Sequence, residues 1–404
     1  MTEDRQPSGA GGDAAPRRDA ATVVAAARPG ADPAFGSIAP PLWATDTFQW
    51  ADADIKPAYD YARTVHPNRD LLADALCELE GAAGGVVTNS GQAATLLAFL
   101  MLPAGALVVA PHDCYGGTYR LIEALRDQGK LSAAFVDMRD DAAFAAAMAR
   151  EPALVWLETP SNPLLRLTDI ARRSAQAKAA GALVAADNTL MTPCRQRPLA
   201  HGCDLVMHST TKALNGHADL VGGALLAANA ELAERAAWWA NAAGLTGSAH
   251  DAHQTLRGLR TLPLRVDRQE ASARSLAAWL HEAPGFTAVN YPGLPSHPDH
   301  ALAGRQQDGP GFMISFRLQG GAEAATRFLA RLEFVTLASS LGGFATLICR
   351  PATMTHRGMP PAAQAEAGIA PDLLRLSIGL ENAGDLRDDL ARALEAALHG
   401  SSLD

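Results

Sequence analysis

The chain has 404 residues, 48% of them hydrophobic and 19% charged, with a formal net charge of −9. That length and apolar content can bury a core large enough for two unequal domains. The acidic balance and the lack of any basic tract argue against nucleic acid or an anionic membrane surface as partner.

Residues 1–20 are Gly, Ala, Pro and charge without periodicity, and read as a disordered tail. They contain no apolar core of the kind a signal peptide needs. Residues 21–62 read as an arm: a short helix from Ala21 to Ala27, then a Pro-rich extended stretch suited to contacting a neighbouring subunit. In YDYARTVHPNRD, residues 59–70, Asn68 and Asp70 are the candidate caps of a helix from Leu71 to Gly81. Tyr61 and Arg63 stand two apart in an extended segment, so they face the same way and can hold a phosphate together. TNSGQAATLLAFLML, residues 88–102, is a Ser-Gly turn entering an apolar helix, with first amides that form an anion seat. The longest apolar run, Leu96 to Ala110, is broken by Pro103 and Gly105 and is no membrane span.

From here strand-like runs alternate with helical patterns: Leu107–Ala110, Ala133–Val136, Leu154–Glu158, Leu183–Ala186, Leu205–Met207 and Gly223–Ala227. That alternation predicts an α/β fold with a mostly parallel sheet sandwiched by helices. Residues 63–262 form the expected larger domain, with 234–262 helical and Pro263 as a breaker. Residues 263–404 form a smaller C-terminal α/β domain with an antiparallel sheet. Its elements read helix 268–282, strands 286–290 and 312–318, helix 321–331, strands 333–337, 345–349 and 373–378, and helix 384–398.

In a parallel sheet the functional residues gather where strands end. The strand ends here carry His112 to Gly117, Glu158 to Pro163, Asp187-Asn188-Thr189, and Ser209 to Lys212. Alone, Lys212 reads as a solvated charge and Asp187 as a helix cap. Together they lie on successive strand ends, where one flat cofactor can touch both. A lysine kept deprotonated by burial beside a second cation can anchor an aldehyde. A buried carboxylate needs a cationic partner such as a protonated pyridine nitrogen. Those are the demands of pyridoxal 5'-phosphate (PLP). Tyr115, before Gly116 and Gly117, can stack on its ring, and Asn162 can donate to its phenolic oxygen.

Other chemistries are less well served. His112 and Cys114 offer a thiol-hydrolase pair, but no acid is placed to orient the histidine. His112, Asp113, Cys114 and His208 lack zinc-ligand spacing, so no metal site is expected. His201, His208, His217, His250 and His253 read mostly as helix-end or surface residues. Cys77, Cys114, Cys194, Cys203 and Cys349 are scattered without a CxxC pair, which suits a reducing, cytoplasmic setting.

The words YARTVHPNRD, TNSGQAA, APHDCYGGTYRL, ETPSNPLLR, DNTL, HSTTKALNGHADLVGG, WWANAAGLTG, LRGLRTL, SLGG, ATMTH and LLRLSIGLEN run from about residue 35 to 400. Together they resemble the PLP-dependent Cys/Met-metabolism (transsulfuration) family, most closely its bacterial synthase branch. The resemblance implies the PLP-dependent transferase fold type I with a seven-stranded-type sheet, and a homotetramer built as a dimer of dimers. It implies that Lys212 carries the Schiff base, Asp187 faces the pyridine nitrogen and Tyr115 stacks. Ser90, Gly91, Gln92, Ser209 and Thr211 would hold the phosphate, with Tyr61 and Arg63 reaching it from the neighbouring subunit. Arg375 would fork the substrate α-carboxylate, with Ser340 and Asn162 nearby, and Arg120 would meet a distal carboxylate. The implied reaction is γ-replacement on O-succinyl-L-homoserine by L-cysteine, giving L-cystathionine and succinate, in methionine biosynthesis. The alternatives are γ-elimination to 2-oxobutanoate and ammonia, or substitution by another nucleophile. Three positions depart from the family pattern: His66-Pro67-Asn68 for Asn-Pro-Thr, Gln92 for a common Met, and Ser339 for Glu. The last lies near the distal part of the substrate or the incoming thiol, and leaves replacement and elimination both open.

Overall fold

The computed structural model describes residues 18–26, 32 and 34–399, so most of the expected tail and Ala27 lie outside the described residues. The larger sheet has strands β1 (Gly84–Thr88), β2 (Leu107–Pro111), β3 (Ser132–Val136), β4 (Leu154–Glu158), β5 (Leu183–Asp187), β6 (Leu205–His208) and β7 (Gly223–Ala227). Its order is β1-β7-β6-β5-β4-β2-β3. β7 is antiparallel to β1 and β6, and the other pairs are parallel. β4 and β7 are buried at every position. Helices cover both faces, so these strands have no reason to alternate polar and apolar residues. One face packs Phe99, Trp156 and Leu225, and the other Phe144, Val155 and Val184.

Two features of this sheet differ from expectation. β1, GGVVT, was not among the strands read from sequence, because glycine weakens a strand signal. Its glycines answer to close packing: a Cβ on Gly84 would sit 2.8 Å from Ala233 Cβ on the covering helix. The helix after the arm runs Pro67–Glu80, and its cap is His66, not Asn68 or Asp70. His66 Nδ1 accepts from the Asn68 N–H at 3.2 Å, while Nε2 lies 3.1 Å from the Trp43 carbonyl. Burial, and then Arg69, lower the His66 pKa, which favours the neutral ring this geometry needs. Asn68 instead staples the arm, accepting from the Trp43 N–H and donating to the Pro41 carbonyl.

The expected helical stretch 234–262 is two helices, Ala230–Ala243 and Ala249–Leu259, separated at Gly244 in the left-handed conformation. Pro263 does not break a helix. It stands in the first turn of Leu262–Glu282, where a missing N–H costs nothing, so this helix starts six residues before its expected 268. Beyond it, β8 (Phe286–Asn290), β9 (Met313–Leu318), β10 (Thr336–Leu337), β11 (Leu347–Cys349) and β12 (Leu374–Ser377) form a sheet of order β10-β11-β12-β9-β8. β10 and β11 are parallel and the rest antiparallel. β10 is shorter than the strand expected over 333–337, and helices His300–Gln306 and Pro361–Ala367 were not foreseen. Among the described residues no helix is long and apolar enough to cross a membrane.

Arg265 in the long helix locks the turn after β6. Its guanidinium donates to the carbonyls of Ala213 at 2.7 Å, Leu214 at 3.4 Å and Gly258 at 2.8 Å. Arg265→Met strips buried acceptors of a charged donor and is expected to cost roughly 2–3 kcal/mol. The check is the midpoint of urea unfolding, which should fall clearly below wild type.

Candidate active site

The carboxyl ends of β1, β2, β4, β5 and β6 and the start of antiparallel β7 open on one cavity of about 350 Å³. Its wall holds twelve of the residues expected from sequence: Ser90, Gly91, Gln92, Tyr115, Asn162, Asp187, Ser209, Thr211, Lys212, Ser339, Ser340 and Arg375. The last three come from the C-terminal part of the chain, Arg375 on β12 and Ser339 and Ser340 on the loop after β10.

The helix Gly91–Leu100 starts at the cavity wall, with Ser90 as cap accepting from the Ala93 N–H at 3.1 Å. Its first amides have no partner within the helix and face an anion-sized space. Gly91 must lack a side chain, since a Cβ would lie 2.8 Å from Ser209 Cβ. The Thr211 hydroxyl bridges to Gly222, accepting from its N–H and donating to its carbonyl. Tyr115 caps the helix Gly116–Asp127, and its N–H donates to Glu158 Oε2 at 2.7 Å. The two glycines that follow are crowded: a Cβ on Gly116 would lie 2.8 Å from the Thr355 carbonyl, and one on Gly117 would lie 3.1 Å from Tyr115 Cδ1.

Lys212 is half-buried, and its Nζ donates to Ser340 Oγ at 2.9 Å. Burial, and then the nearby Arg375 charge, pull its pKa down to about 8. Arg375 is itself buried. Its Nη1 donates to Asn162 Oδ1 at 2.9 Å, its Nη2 to the Ser340 carbonyl at 2.7 Å, and its Nε has no partner among the described residues. Ser340 serves both cations from a backbone with φ of 104°, a conformation that costs energy for a residue with a side chain. Asp187 accepts from the Thr189 N–H at 2.9 Å and from its hydroxyl. Burial raises its pKa against those bonds. No cation pairs with it among the described residues.

The sequence reading passed over several partners. Glu158 stood at a noted strand end without a role, and Thr189 and Thr355 also line the cavity. His208 is not a surface residue. It is fully buried, with Nε2 2.7 Å from Glu80 Oε1. Asn188 Nδ2 donates to the same Glu80 oxygen, and Gln196 links Asn188 to Gln306 and Gln307 near the second sheet.

Three expected residues lie off the wall. Tyr61 and Arg63 are exposed. Arg63 Nη1 donates to the Asn241 carbonyl at 2.9 Å and to its Oδ1 at 2.7 Å. Arg120 is on the exposed side of its helix, with its stem over Gly358.

These groups fit pyridoxal phosphate on structural grounds. A half-buried carboxyl without a cationic partner among the described residues awaits a ring cation, a half-buried amine is depressed in pKa, and a guanidinium keeps a free buried donor for a carboxylate. Among the described residues no cluster of side chains suits a metal ion.

Residues 21–395 match the model of the family described as Cys/Met metabolism PLP-dependent enzyme. A cystathionine gamma-synthase of Escherichia coli (strain K12) is 44% identical over 384 residues, 95% of this chain and 100% of that protein. A cystathionine gamma-lyase of Bacillus subtilis (strain 168) is 37% identical over 90% of this chain and 96% of its own. The crystal structure of a cystathionine gamma synthase from Xanthomonas oryzae pv. oryzae in complex with cystathionine superposes with a TM-score of 0.93. It is 48% identical, over 94% of this chain and 98% of that one.

In the cofactor-free protein, acylation of Lys212 should rise with pH through a midpoint near about 8. Arg375→Gln removes the second cause, so the midpoint should move upward while staying below that of an ordinary lysine. Peptide mapping after pulsed acetic anhydride labelling measures it, and an unmoved midpoint would refute the coupling.

Proposed function

The chain belongs to the Cys/Met metabolism PLP-dependent enzymes, and from that premise we propose that it performs γ-replacement on O-succinyl-L-homoserine. L-Cysteine is the incoming thiol, and L-cystathionine and succinate are the products. The observation that carries this reading is the junction of Lys212, Ser340 and Arg375: a base and a carboxylate fork share one cavity. Near-full-length likeness to synthases supports the choice of reaction.

When bound, pyridoxal phosphate supplies an electron sink for negative charge at the carbons next to the amino group. The Gly91 and Gln92 amides, Ser209 and Thr211 would hold its phosphate, Asp187 its ring nitrogen, Asn162 its phenolic oxygen and Tyr115 its face. Arg375 binds the substrate α-carboxylate with donors left over from Asn162 and Ser340. Lys212 Nζ then takes the proton from Cα. With a pKa of about 8 it is basic enough to accept that proton and acidic enough to return it. Once it has handed that proton on it is again a free amine, and its flexible tether reaches Cβ, where a second proton must leave before succinate can depart from Cγ. The cysteine thiol gives up its proton to solvent and adds at Cγ, and Lys212 delivers one proton to Cβ and then, protonated again, one to Cα. We assign the distal carboxylate to Arg120, which lies over Gly358, three residues beyond the cavity-lining Thr355.

The assembly we propose is a homotetramer of two tight dimers. The arm exposes Phe35 (92%), Ile38 (79%) and Ile55 (69%), an apolar surface that a second copy can cover. Tyr61 and Arg63 sit outside their own cavity, which supports their reaching the phosphate of a neighbouring subunit. Five unpaired cysteines support a reducing, cytoplasmic setting.

A second reading is γ-elimination to 2-oxobutanoate and ammonia, favoured by Ser339. It lines the cavity with a small neutral group where the family carries a carboxylate.

The purified enzyme, given O-succinyl-L-homoserine and L-cysteine, is expected to form cystathionine faster than 2-oxobutanoate. Predominant 2-oxobutanoate would decide for elimination. Lys212→Ala should lose roughly 10³-fold or more in turnover, and activity near wild type would sink the mechanism. Refolding Lys212→Ala together with Arg63→Ala should recover part of the activity, because a hybrid pair contains one complete site. No recovery would count against the shared-site assembly.

A further inference from the structure

Two carboxyls line the cavity, Asp187 and Glu158, and the mechanism uses only the first. They end adjacent parallel strands in register, Glu158 opposite Asp187. Their side chains therefore leave the sheet on the same face. Two carboxyls so placed, Glu158 buried and Asp187 half-buried, cannot both ionise cheaply, so one keeps a proton.

Their surroundings decide which one. Asp187 takes two bonds from Thr189, and His208, whose ring is held by Glu80, lowers its pKa further. Glu158 is 4% exposed and stands beside Asp187, Asp113 and Cys114, none of which stabilises negative charge on it. Burial first, and then Asp187, push the Glu158 pKa well above the usual carboxylate range.

Glu158 nonetheless has bonding work. Oε2 accepts the Tyr115 N–H at 2.7 Å, and the carboxyl also accepts the backbone N–H of Asn162. These backbones carry the two side chains assigned to the ring face and the phenolic oxygen.

We propose that Glu158 is a positioning residue that works uncharged: a protonated carboxyl that ties the Tyr115 and Asn162 turns to β4 while leaving the negative charge of the wall on Asp187. This rests on the cavity being the cofactor site. A neutral acceptor of equal length should therefore replace Glu158, and an apolar residue should not.

The test is titration of cofactor-free wild type, Glu158→Gln and Glu158→Leu with pyridoxal phosphate. It is followed by tryptophan fluorescence and by the circular dichroism of the bound chromophore. Glu158→Gln is expected to bind within about threefold of wild type with the same dichroic band, while Glu158→Leu binds about ten- to a hundredfold more weakly with an altered band, having stranded two buried N–H groups. Glutamine as weak as leucine would show that the ionised carboxylate is needed, and would overturn the assignment. Leucine equal to wild type would overturn it also. Should Glu158→Leu fail to fold, Glu158→Gln decides alone, since an essential charge must weaken it at least tenfold. Borohydride reduction separates the two layers. A wild type without label on Lys212 overturns the cofactor reading and this assignment together. A labelled wild type with a weak glutamine variant overturns the assignment only.

Discussion

Two cations occupy one buried space, and the rest of the site follows from how that repulsion is settled. A guanidinium cannot give up its proton in a protein, whereas an ammonium can. Arg375 is therefore fixed as the permanent charge, held by Asn162 and the Ser340 carbonyl. Lys212 is the partner that yields, with its pKa brought to about 8. The strained backbone of Ser340 is the hinge of this arrangement, because its carbonyl and hydroxyl face different cations. Chemistry at neutral pH needs such an amine, and the fold makes one by placing a strand of the second sheet against the end of β6.

Next to the cavity lies a buried polar network. His208, Glu80, Asn188 and Gln196 join the ends of β5 and β6 to Gln306 and Gln307. A buried polar group is costly unless partnered. Nearly every donor in this set finds an acceptor, so the relative height of the strand ends is set by hydrogen bonds as well as by packing. That height decides whether Asp187 and Lys212 face the same cavity, and they do.

The sequence made the wall legible for local reasons. Strands buried on both faces read as unbroken apolar runs, and whatever polar residue follows such a run stands out. Lys212, Asp187, Tyr115 and Asn162 were found that way. What escaped notice depends on contacts between distant segments. Glu158 and Asp187 are 29 positions apart in the chain, and only strand register makes them neighbours. His208 looked ordinary because Glu80, which buries it, lies on a helix 128 positions away. β1 was hidden by its glycines, whose reason is the helix packed on them. His66 was passed over as a cap because histidine does that work only when a neighbour fixes its tautomer, as the Trp43 carbonyl does here.

The helix Pro67–Glu80 starts beside the arm and ends at Glu80, which bonds His208 at the end of β6. Fourteen residues of helix make a rod of about 21 Å. One tip is clamped by Asn68 to the arm at Pro41 and Trp43, and the other grips the imidazole that ends β6. The arm and the end of β6 are thus mounted on a single stiff strut, and a disturbance at the outer tip is carried inward as rigid-body tilt.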